Sequence, residues 1–291
     1  MKKFAHDYVA QFRVLKEIAN NNRFRHRAIV SAESAFLVSA YKDYLRSKGN
    51  PWTVTGHVQS AQFRGAMEAL YSSTIKEVAY IREMRNDNSG RCCSMCGSLS
   101  STQIDHYLPQ KYYPEFSIFK PNLFPICGCN QSKLQKTIGP NPDERFLHPA
   151  YDRKISDRAI YVRIRHHSGT PSYEVSFKKP KRVRASAAFD FHMRTLVSKD
   201  RITRYVKQGF EKFCRRPSSV VTELKYRNPG SKMELAMMLR DELVEACREH
   251  QSKNNWESVF LHALLERRTL NWLWRRFADL NRPINAPLVT L

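Results

Sequence analysis

Two pairs of cysteines constrain this chain more than any other feature of its sequence. The first pair is the C-x-x-C of Cys93 and Cys96, and the second is the C-x-C of Cys127 and Cys129, about thirty residues further on. The segment around them, 91–150, is rich in Cys, Pro, Gly, Asn and aromatic residues and has little periodicity. Such a segment cannot bury much apolar surface alone, so it needs a metal to hold it.

Four thiolates from two such turns can form a tetrahedral zinc site. The closed ligand set would make the site structural, because it would pin the two ends of the intervening segment. Buried free cysteines or a redox pair are the alternatives. The chain has seven cysteines, an odd number that is awkward for the disulfide framework of a secreted protein. The pattern therefore favours zinc.

Apolar residues recur at three- to four-residue spacing near the N-terminus, which predicts amphipathic helices over 4–19, 27–47 and 55–86. Gly49-Asn50-Pro51 ends the second of these helices. The first 88 residues are therefore predicted to form a packed helical domain or arm.

The C-terminal half begins with two alternating segments, 159–165 and 173–177, which predict a β-hairpin. Residues 190–214 are predicted to be a helix with a basic face, and the remainder of the chain is helical again. The expected organisation has four segments: a helical N-terminal arm (1–88), the cysteine segment (89–150), a basic hairpin-plus-helix region (151–217) and a helical C-terminal region (218–291).

The charge of the chain predicts a polyanionic partner. The 49 Lys and Arg against 27 Asp and Glu give a net charge of +22 and a pI near 9.9. Because phosphate contacts release condensed counterions, such an excess favours nucleic acid. The excess is concentrated in residues 153–216, and the run KKPKRVR (178–184) within it predicts contacts with the DNA backbone.

Two further observations bear on partners and setting. No apolar run approaches the ~18–20 residues that cross a bilayer, and the start does not resemble a signal peptide, so an intracellular setting is expected. Trp272, Trp274, Arg275 and Arg276 either stack on a flipped base or pack in a core or at a partner interface. Aromatic residues at helical spacing favour the second reading.

The polar residues that carry chemistry lie between and just after the cysteine pairs. Asp105-His106 precedes Tyr-Leu-Pro, Asn122 precedes Leu123, and Asn130 begins the sequence Asn-Gln-Ser-Lys. Adjacent residues of a strand project to opposite faces, so the side chains of Asp105 and His106 converge only at a bend or at a strand end.

This combination resembles the motif of the HNH (ββα-metal) endonucleases: C-x-x-C, then D-H-x-x-P, then N-L, then C-N-x-x-K. The stretch DHYLPQKYYPEFSIFKPNLFPIC is similar to one bacterial group of HNH proteins. The following RFLHPAYD (145–152) resembles the F-I/L-H-P-Y-x-D element of that group. The strong resemblance covers about 60 residues, and a looser one extends to the N-terminal arm and to NNWESVFLHAL (254–264).

The resemblance implies an α+β fold in which a small zinc-stapled ββα-metal core is flanked by mainly α-helical N- and C-terminal regions. By motif position, His106 would be the general base that activates water, and Asp105 and Asn130 would hold catalytic Mg²⁺ or Mn²⁺. Asn122 would orient the His106 imidazole and fix the loop between the strands, and Lys133 would contact phosphate.

Two departures from the family pattern, and the role of His148, leave questions open. The second cysteine pair is one residue shorter than usual, so Cys127 is a less secure zinc ligand, and Cys92 could replace Cys93. Asn130 stands where many HNH motifs have His, although its amide oxygen can still bind Mg²⁺. His148 is either a ligand or phosphate contact or, as is commoner for a His-Pro, part of a structural turn.

The function that the resemblance implies is metal-dependent hydrolysis of phosphodiester bonds in DNA by a cytoplasmic bacterial endonuclease. It would be the effector of an anti-phage or restriction system, working beside an ATPase or sensor protein, with a homodimer where both strands are cut. The alternatives are an RNA-cutting HNH nuclease and a non-catalytic zinc module that binds nucleic acid. The expected nucleic-acid contacts are Lys133, Lys178, Lys179, Lys181, Arg182 and Arg184.

Overall fold

The structure is a computed structural model with an α+β fold, as the sequence predicts. The chain divides into two compact units. We call them the cysteine unit (Lys3–Ile155 and Lys181–Val197) and the hairpin unit (Met1–Lys2, Ser156–Pro180 and Ser198–Leu291). The structure describes all residues except 2, 4–8, 88–90, 134–136, 153–154, 167–169, 182 and 289–291.

The cysteine unit combines the predicted N-terminal arm with the predicted cysteine segment. Two aromatic side chains join them: Tyr41 stacks on Phe119 with ring centroids 4.0 Å apart, and Tyr44 meets Phe116 edge-on at 4.9 Å. The elements of this unit are α1 (Val9–Ala19), α2 (Arg27–Ala32), α3 (Ser34–Ser47), α4 (Ala61–Tyr71), α5 (Ala79–Asp87), β1 (Gln103–His106), β2 (Leu123–Ile126), α6 (Asn130–Lys133) and α7 (Ser186–Leu196).

A short antiparallel strand pair lies at the centre of the candidate site. Strands β1 and β2 pair from Gln103 opposite Ile126 to His106 opposite Leu123. All four residues of β2 are buried, so this strand forms the inner side of the pair. Helix α6 follows directly, which gives the order strand, strand, helix.

The hairpin unit is built around a second antiparallel pair. Ile160 pairs with Phe177 at one end of this pair, and Arg165 pairs with Ser172 at the other. Helix α10 is almost entirely buried and packs against β3, α8 and α9. The elements are β3 (Ile160–Arg165), β4 (Ser172–Phe177), α8 (Lys199–Arg215), α9 (Lys232–Glu249), α10 (Trp256–Leu264) and α11 (Arg267–Phe277).

The helix bounds differ from the periodicity in three places. The predicted helix 27–47 is interrupted at Glu33, and the predicted helix 55–86 is helical only in α4 and α5, with a 3-10 turn between them. The predicted helix 190–214 is two helices, α7 and α8. Ser198 breaks it because its hydroxyl accepts the Arg201 backbone N–H and caps the new helix.

Gly49 ends α3, as the sequence predicts, and its conformation shows why glycine is needed. Its φ is +65°, which side chains disfavour. A Cβ atom there would also lie 2.7 Å from Cζ of Tyr44 and 2.9 Å from Nε2 of His148.

Candidate functional site

Four cysteine sulfurs converge in the cysteine unit. The Sγ atoms of Cys93, Cys96, Cys127 and Cys129 all lie within 4.8 Å of one another, and all four residues are buried. Cys93 Sγ is 3.7 Å from Cys129 Sγ, and Cys96 Sγ is 3.4 Å from Cys127 Sγ. Tetrahedral zinc with Zn–S bonds of about 2.3 Å separates its sulfurs by about 3.8 Å. The cluster is therefore compatible with a structural zinc site.

The cluster contains the four cysteines that the sequence singled out, including Cys127 from the shortened pair. Cys92 does not belong to it, because its sulfur is directed at the carbonyl oxygens of Cys93 (3.7 Å) and Gly97 (3.8 Å). The question of whether Cys92 replaces Cys93 is thereby answered in favour of Cys93.

Backbone geometry prepares these sulfurs for a cation. The N–H of Cys127 points at Cys93 Sγ and the N–H of Cys129 at Cys127 Sγ, each at 3.4 Å. Hydrogen bonds from Cys129, Cys93 and Cys96 lower the pKa of Cys127 below its ordinary value. Thiolates are the form in which cysteines bind metal, so the lowered pKa favours ligation by Cys127, whereas hydrogen bonds within the cluster raise the pKa of Cys96 and Cys129.

His192 of α7 holds the first cysteine turn in place, a role that no sequence pattern indicated. Its Nε2–H donates to the carbonyl oxygen of Met95, which lies between Cys93 and Cys96, at 2.7 Å. Its Nδ1 accepts the N–H of Leu147 at 3.1 Å. Burial lowers the pKa of His192 to about 4, so the ring is neutral at neutral pH and can serve both partners.

His106 lies at the end of β1 and is buried. Its Nε2 is 2.8 Å from the carbonyl oxygen of Ser117, and because a carbonyl only accepts, Nε2 carries the proton. Nδ1 is then the basic nitrogen of the neutral ring. Burial lowers the pKa of His106 below its ordinary value, which keeps the ring in this form. The side chain thus has the protonation state that a general base needs.

Asp105 forms an ion pair with Lys133 of α6. The Lys133 ammonium is 2.7 Å from Asp105 Oδ2 and also donates to the carbonyl oxygen of His106. Only 4% of the Lys133 side chain and 18% of the Asp105 side chain are exposed. The predicted phosphate contact is not available to Lys133 in this structure, because its ammonium is buried in this pair.

Asn122 is fully buried and holds the loop between β1 and β2. Its Oδ1 accepts the N–H of Leu108 at 2.8 Å, and its Nδ2 donates to the carbonyl oxygens of Leu108 (3.0 Å) and Phe116 (3.3 Å). The His106 ring donates its hydrogen bond to the carbonyl oxygen of Ser117 rather than to Asn122. Any effect of Asn122 on the His106 ring is therefore indirect, through Phe116, which precedes Ser117 in the loop.

His148 joins the same network through α3. Its Nδ1 accepts the N–H of Ala150 at 3.1 Å, so its Nε2–H donates to the hydroxyl of Tyr44 at 3.0 Å. The Tyr44 hydroxyl in turn donates to Asn122 Oδ1 at 3.1 Å. The His148 backbone N–H donates to Asp152 Oδ2 at 2.6 Å. These contacts and its burial fit the structural-turn reading of His148.

Tyr71 lies beside His106, and the sequence did not single it out. The Tyr71 ring of α4 lies 4.6 Å from the His106 ring, centroid to centroid. A cavity of about 340 Å³ is lined by Tyr71 together with Arg82 and Arg85 of α5. Arg85 also acts on the Tyr71 hydroxyl, whose pKa is nevertheless raised by burial. Arg82 and Arg85 therefore place positive charge in the cavity that Tyr71 lines.

Glu115, in the loop between the strands, is a buried carboxyl. It is fully buried, and neither of its oxygens has a hydrogen-bond partner among the residues that the structure describes. Burial raises its pKa to about 7. Glu115 thus changes charge near neutral pH inside the unit that contains the candidate site.

The remaining predicted site residues are Asn130 and the basic residues of the run 178–184. Asn130 begins α6, but its side chain lies outside the described residues, as does Arg182. The other basic residues of the run are exposed, and they divide between the units: Lys178 and Lys179 belong to the hairpin unit, Lys181 and Arg184 to the cysteine unit.

No family model matches the sequence, and no solved structure matches it. The chain is similar to protein ea31 of Escherichia phage lambda, with 32% identity over 111 residues. This match covers 36% of the chain and 38% of the phage protein, so the chain spans well under two thirds of that relative. Among the described residues, no helix is long and apolar enough to cross a membrane.

Proposed function

We propose that this protein is a metal-dependent HNH endonuclease that hydrolyses phosphodiester bonds in DNA. The observation that carries the proposal is His106 at the end of β1, neutral and with Nδ1 as its basic nitrogen. Asp105 precedes it on the same strand, and α6 follows the strand pair, in the order that the HNH resemblance implies. The four-cysteine cluster fixes both ends of this segment.

The residues suit hydrolysis of a phosphodiester. Such a reaction needs a deprotonated water in line with the leaving oxygen and neutralisation of charge on the phosphate. Nδ1 of His106 would take the proton from water, and its Nε2–H bond to Ser117 keeps the ring in one tautomer. Arg82 and Arg85, which line the cavity beside Tyr71, would attract and hold the phosphate backbone.

A divalent cation, Mg²⁺ or Mn²⁺, would be held by Asp105 and Asn130 and would supply charge neutralisation at the phosphate. The Asp105 carboxylate fits such a role, because Lys133 already places a positive charge 2.7 Å from Oδ2. A cation there would compete with the Lys133 ammonium. Binding of the metal at Oδ2 would displace the Lys133 ammonium from that oxygen.

The decisive experiment is plasmid cleavage by the zinc-loaded protein with Mg²⁺ or Mn²⁺. We expect His106→Gln to abolish cleavage, because glutamine can still donate to the Ser117 carbonyl but offers no basic nitrogen. The matched control is His57→Ala, an exposed histidine of the same unit. Zinc content and circular dichroism establish that both variants fold. Equal cleavage by His106→Gln and wild type would refute the proposal.

The pKa of His106 gives a second test. Because burial lowers this pKa, the basic form persists below the ordinary histidine value of about 6.5. We expect kcat/KM to stay level down to that pH and to fall only in more acidic solution. An acid limb centred above pH 7 would assign the base to another group.

The Asp105–Lys133 ion pair favours a second candidate, a zinc module that binds nucleic acid without cutting it. Lys133→Met separates the two. If Asp105 binds the catalytic cation, removal of its competitor lowers the Mg²⁺ concentration needed for half-maximal cleavage. If the protein only binds, neither wild type nor Lys133→Met cuts DNA or RNA at any metal concentration.

The same assay with RNA and with modified DNA tests the substrate. RNA cleavage that exceeds DNA cleavage would replace DNA in the proposal. A role as the effector nuclease of a bacterial anti-phage system, triggered by an ATPase or sensor, rests on the HNH resemblance. It predicts that such a partner stimulates plasmid cutting, and unrestrained cutting by the isolated protein would contradict it.

A further inference from the structure

A concentration of positive charge lies in the hairpin unit, at residues that the proposed cleavage does not use. A pocket of about 280 Å³ opens between β3 and α11. Two arginines of the strand, Arg163 and Arg165, and two of the helix, Arg268 and Arg275, line it. The amide side chain of Asn271 lies among them.

The local geometry places the four arginines of the pocket lining in two pairs. Residues two apart on a strand share a face, so Arg163 and Arg165 project together. Residues seven apart on a helix also share a face, so Arg268 and Arg275 do the same. The hydroxyl of Thr269 donates to the carbonyl oxygen of Ile164 at 3.4 Å and ties α11 to β3.

Few carboxylates balance this charge. Glu174 of β4 lies 2.6 Å from Arg165 and 3.7 Å from Arg163, but all three side chains are 41–52% exposed, so these pairs are weak. Glu266 precedes α11, and its side chain caps the helix at the Arg268 N–H. The sequence of α11, RRTLNWLWRRF, has no acidic residue. The pocket therefore has an excess of positive charge that an anion would offset.

The aromatic residue in the pocket is not available to stack on a base. The His166 ring is parallel to the Trp272 ring, with centroids 4.4 Å apart, and the Arg276 guanidinium lies 3.4 Å from the Trp272 centroid. Two planar groups this close must take opposite faces of the indole. The flipped-base reading of Trp272 therefore does not fit, whereas its packing supports a rigid wall of the pocket.

We propose that this pocket binds a phosphate group of a nucleotide or nucleic-acid strand without reading the base. Guanidinium groups match the oxygens of phosphate with two parallel hydrogen bonds, and a set of four without a base platform selects charge rather than sequence. The proposal goes beyond the proposed cleavage: the pocket belongs to the hairpin unit, and binding there does not require His106.

The phosphate has two sources, the backbone of a strand or a free nucleotide, and one experiment distinguishes them. Binding of a fluorescent DNA duplex, a single strand, ATP and inorganic pyrophosphate is measured with the full-length protein, without added Mg²⁺ so that no cleavage occurs. The variants are Arg268→Ala and Arg275→Ala. The matched control is Arg248→Ala, an exposed arginine of α9 that removes the same charge from the same unit.

We expect each pocket variant to weaken binding about tenfold, because a hydrogen-bonded charge is lost from the site. For DNA, the slope of log affinity against log salt should fall by about one, while the control changes affinity less than twofold. Loss confined to DNA assigns the strand backbone, and loss confined to ATP and pyrophosphate assigns a free nucleotide. If the pocket variants match Arg248→Ala with all four probes, the proposal is wrong. Thermal melting at the wild-type temperature shows that the variants fold.

Discussion

The cysteine unit and the hairpin unit have interiors of different kinds. Around the strand pair of the cysteine unit lie fully buried polar residues, Asn122, Glu115 and Ser117, and a cluster of four buried cysteines. In the hairpin unit, α10 buries Val259, Leu264 and most of its other residues against two helices and a strand. The first interior contains a hydrogen-bond network and a cysteine cluster that could hold a metal ion, whereas the second depends on removal of apolar surface from water.

This difference predicts the largest effect for metal removal. A zinc chelator, or Cys96→Ser, should unfold the region around residues 91–133, because structural zinc contributes about 10–16 kcal/mol at neutral pH in small domains. We expect amide exchange to accelerate there while α8–α10 stay protected. The matched control is Cys247→Ser in the hairpin unit, which should lose no zinc. Unchanged exchange after chelation would mean that the cluster binds no structural metal.

The corresponding perturbation of the hairpin unit is a cavity in its apolar interior. Phe213 of α8 is fully buried, so Phe213→Ala should lower the free energy of unfolding by about 3–5 kcal/mol. The cost should be the same with and without chelator. Urea unfolding, monitored by amide exchange in α8, measures this loss in the free energy of unfolding. A cost that disappears on chelation would show that the two interiors are not independent.

A polar deletion in the cysteine unit should cost about 3 kcal/mol. Asn122→Ala leaves the N–H and carbonyl of Leu108 and the carbonyl of Phe116 without their partner, and each buried unpaired group costs about 1–3 kcal/mol. Exposed Asn22 provides the control, since Asn22→Ala should change stability little. Chemical denaturation compares the two, and equal stabilities would contradict the network described for Asn122.

Two buried groups of the cysteine unit should give opposite pH effects that nearly cancel. The pKa of His192 falls to about 4, so its contribution is lost as pH drops from about 6.5 to 4. The pKa of Glu115 rises to about 7, so its contribution is lost as pH rises from about 4.5 to 7. Each change amounts to about 3 kcal/mol.

Glu115→Gln should remove one of these effects. The variant should gain stability with rising pH between about 4.5 and 6.5, where the wild type changes little. It should also be more stable than wild type at pH 8, because it carries no buried charge. Melting temperatures of both proteins across this range provide the measurement. Parallel pH profiles would mean that Glu115 is not buried as a carboxylate.

What could be predicted from the sequence is mostly local. Cysteine spacing is set over a few residues, so all four cluster members could be named, and the alternation of 159–165 and 173–177 located the hairpin correctly. The α+β class, which the resemblance implied, is confirmed.

What could not be predicted depends on contacts between distant residues. Lys133 meets Asp105 across 28 residues of sequence, and His192 meets Met95 across 97. No periodicity contains such pairings, because they arise only when α6 contacts β1 and α7 packs against α6 and the first cysteine turn. The motif therefore identified Lys133 as a residue of interest but not the atom that it binds.

The tyrosines of α3 limit how the strand pair could be transferred from one protein to another during evolution. Tyr41 stacks on Phe119, and Tyr44 supplies hydrogen-bond partners to both Asn122 and His148. A shortened protein beginning at residue 91 would retain every cysteine of the cluster yet lack these rings. The strand pair could not be transplanted alone into another protein. Recombination would have to carry α3 with it, across more than forty intervening residues.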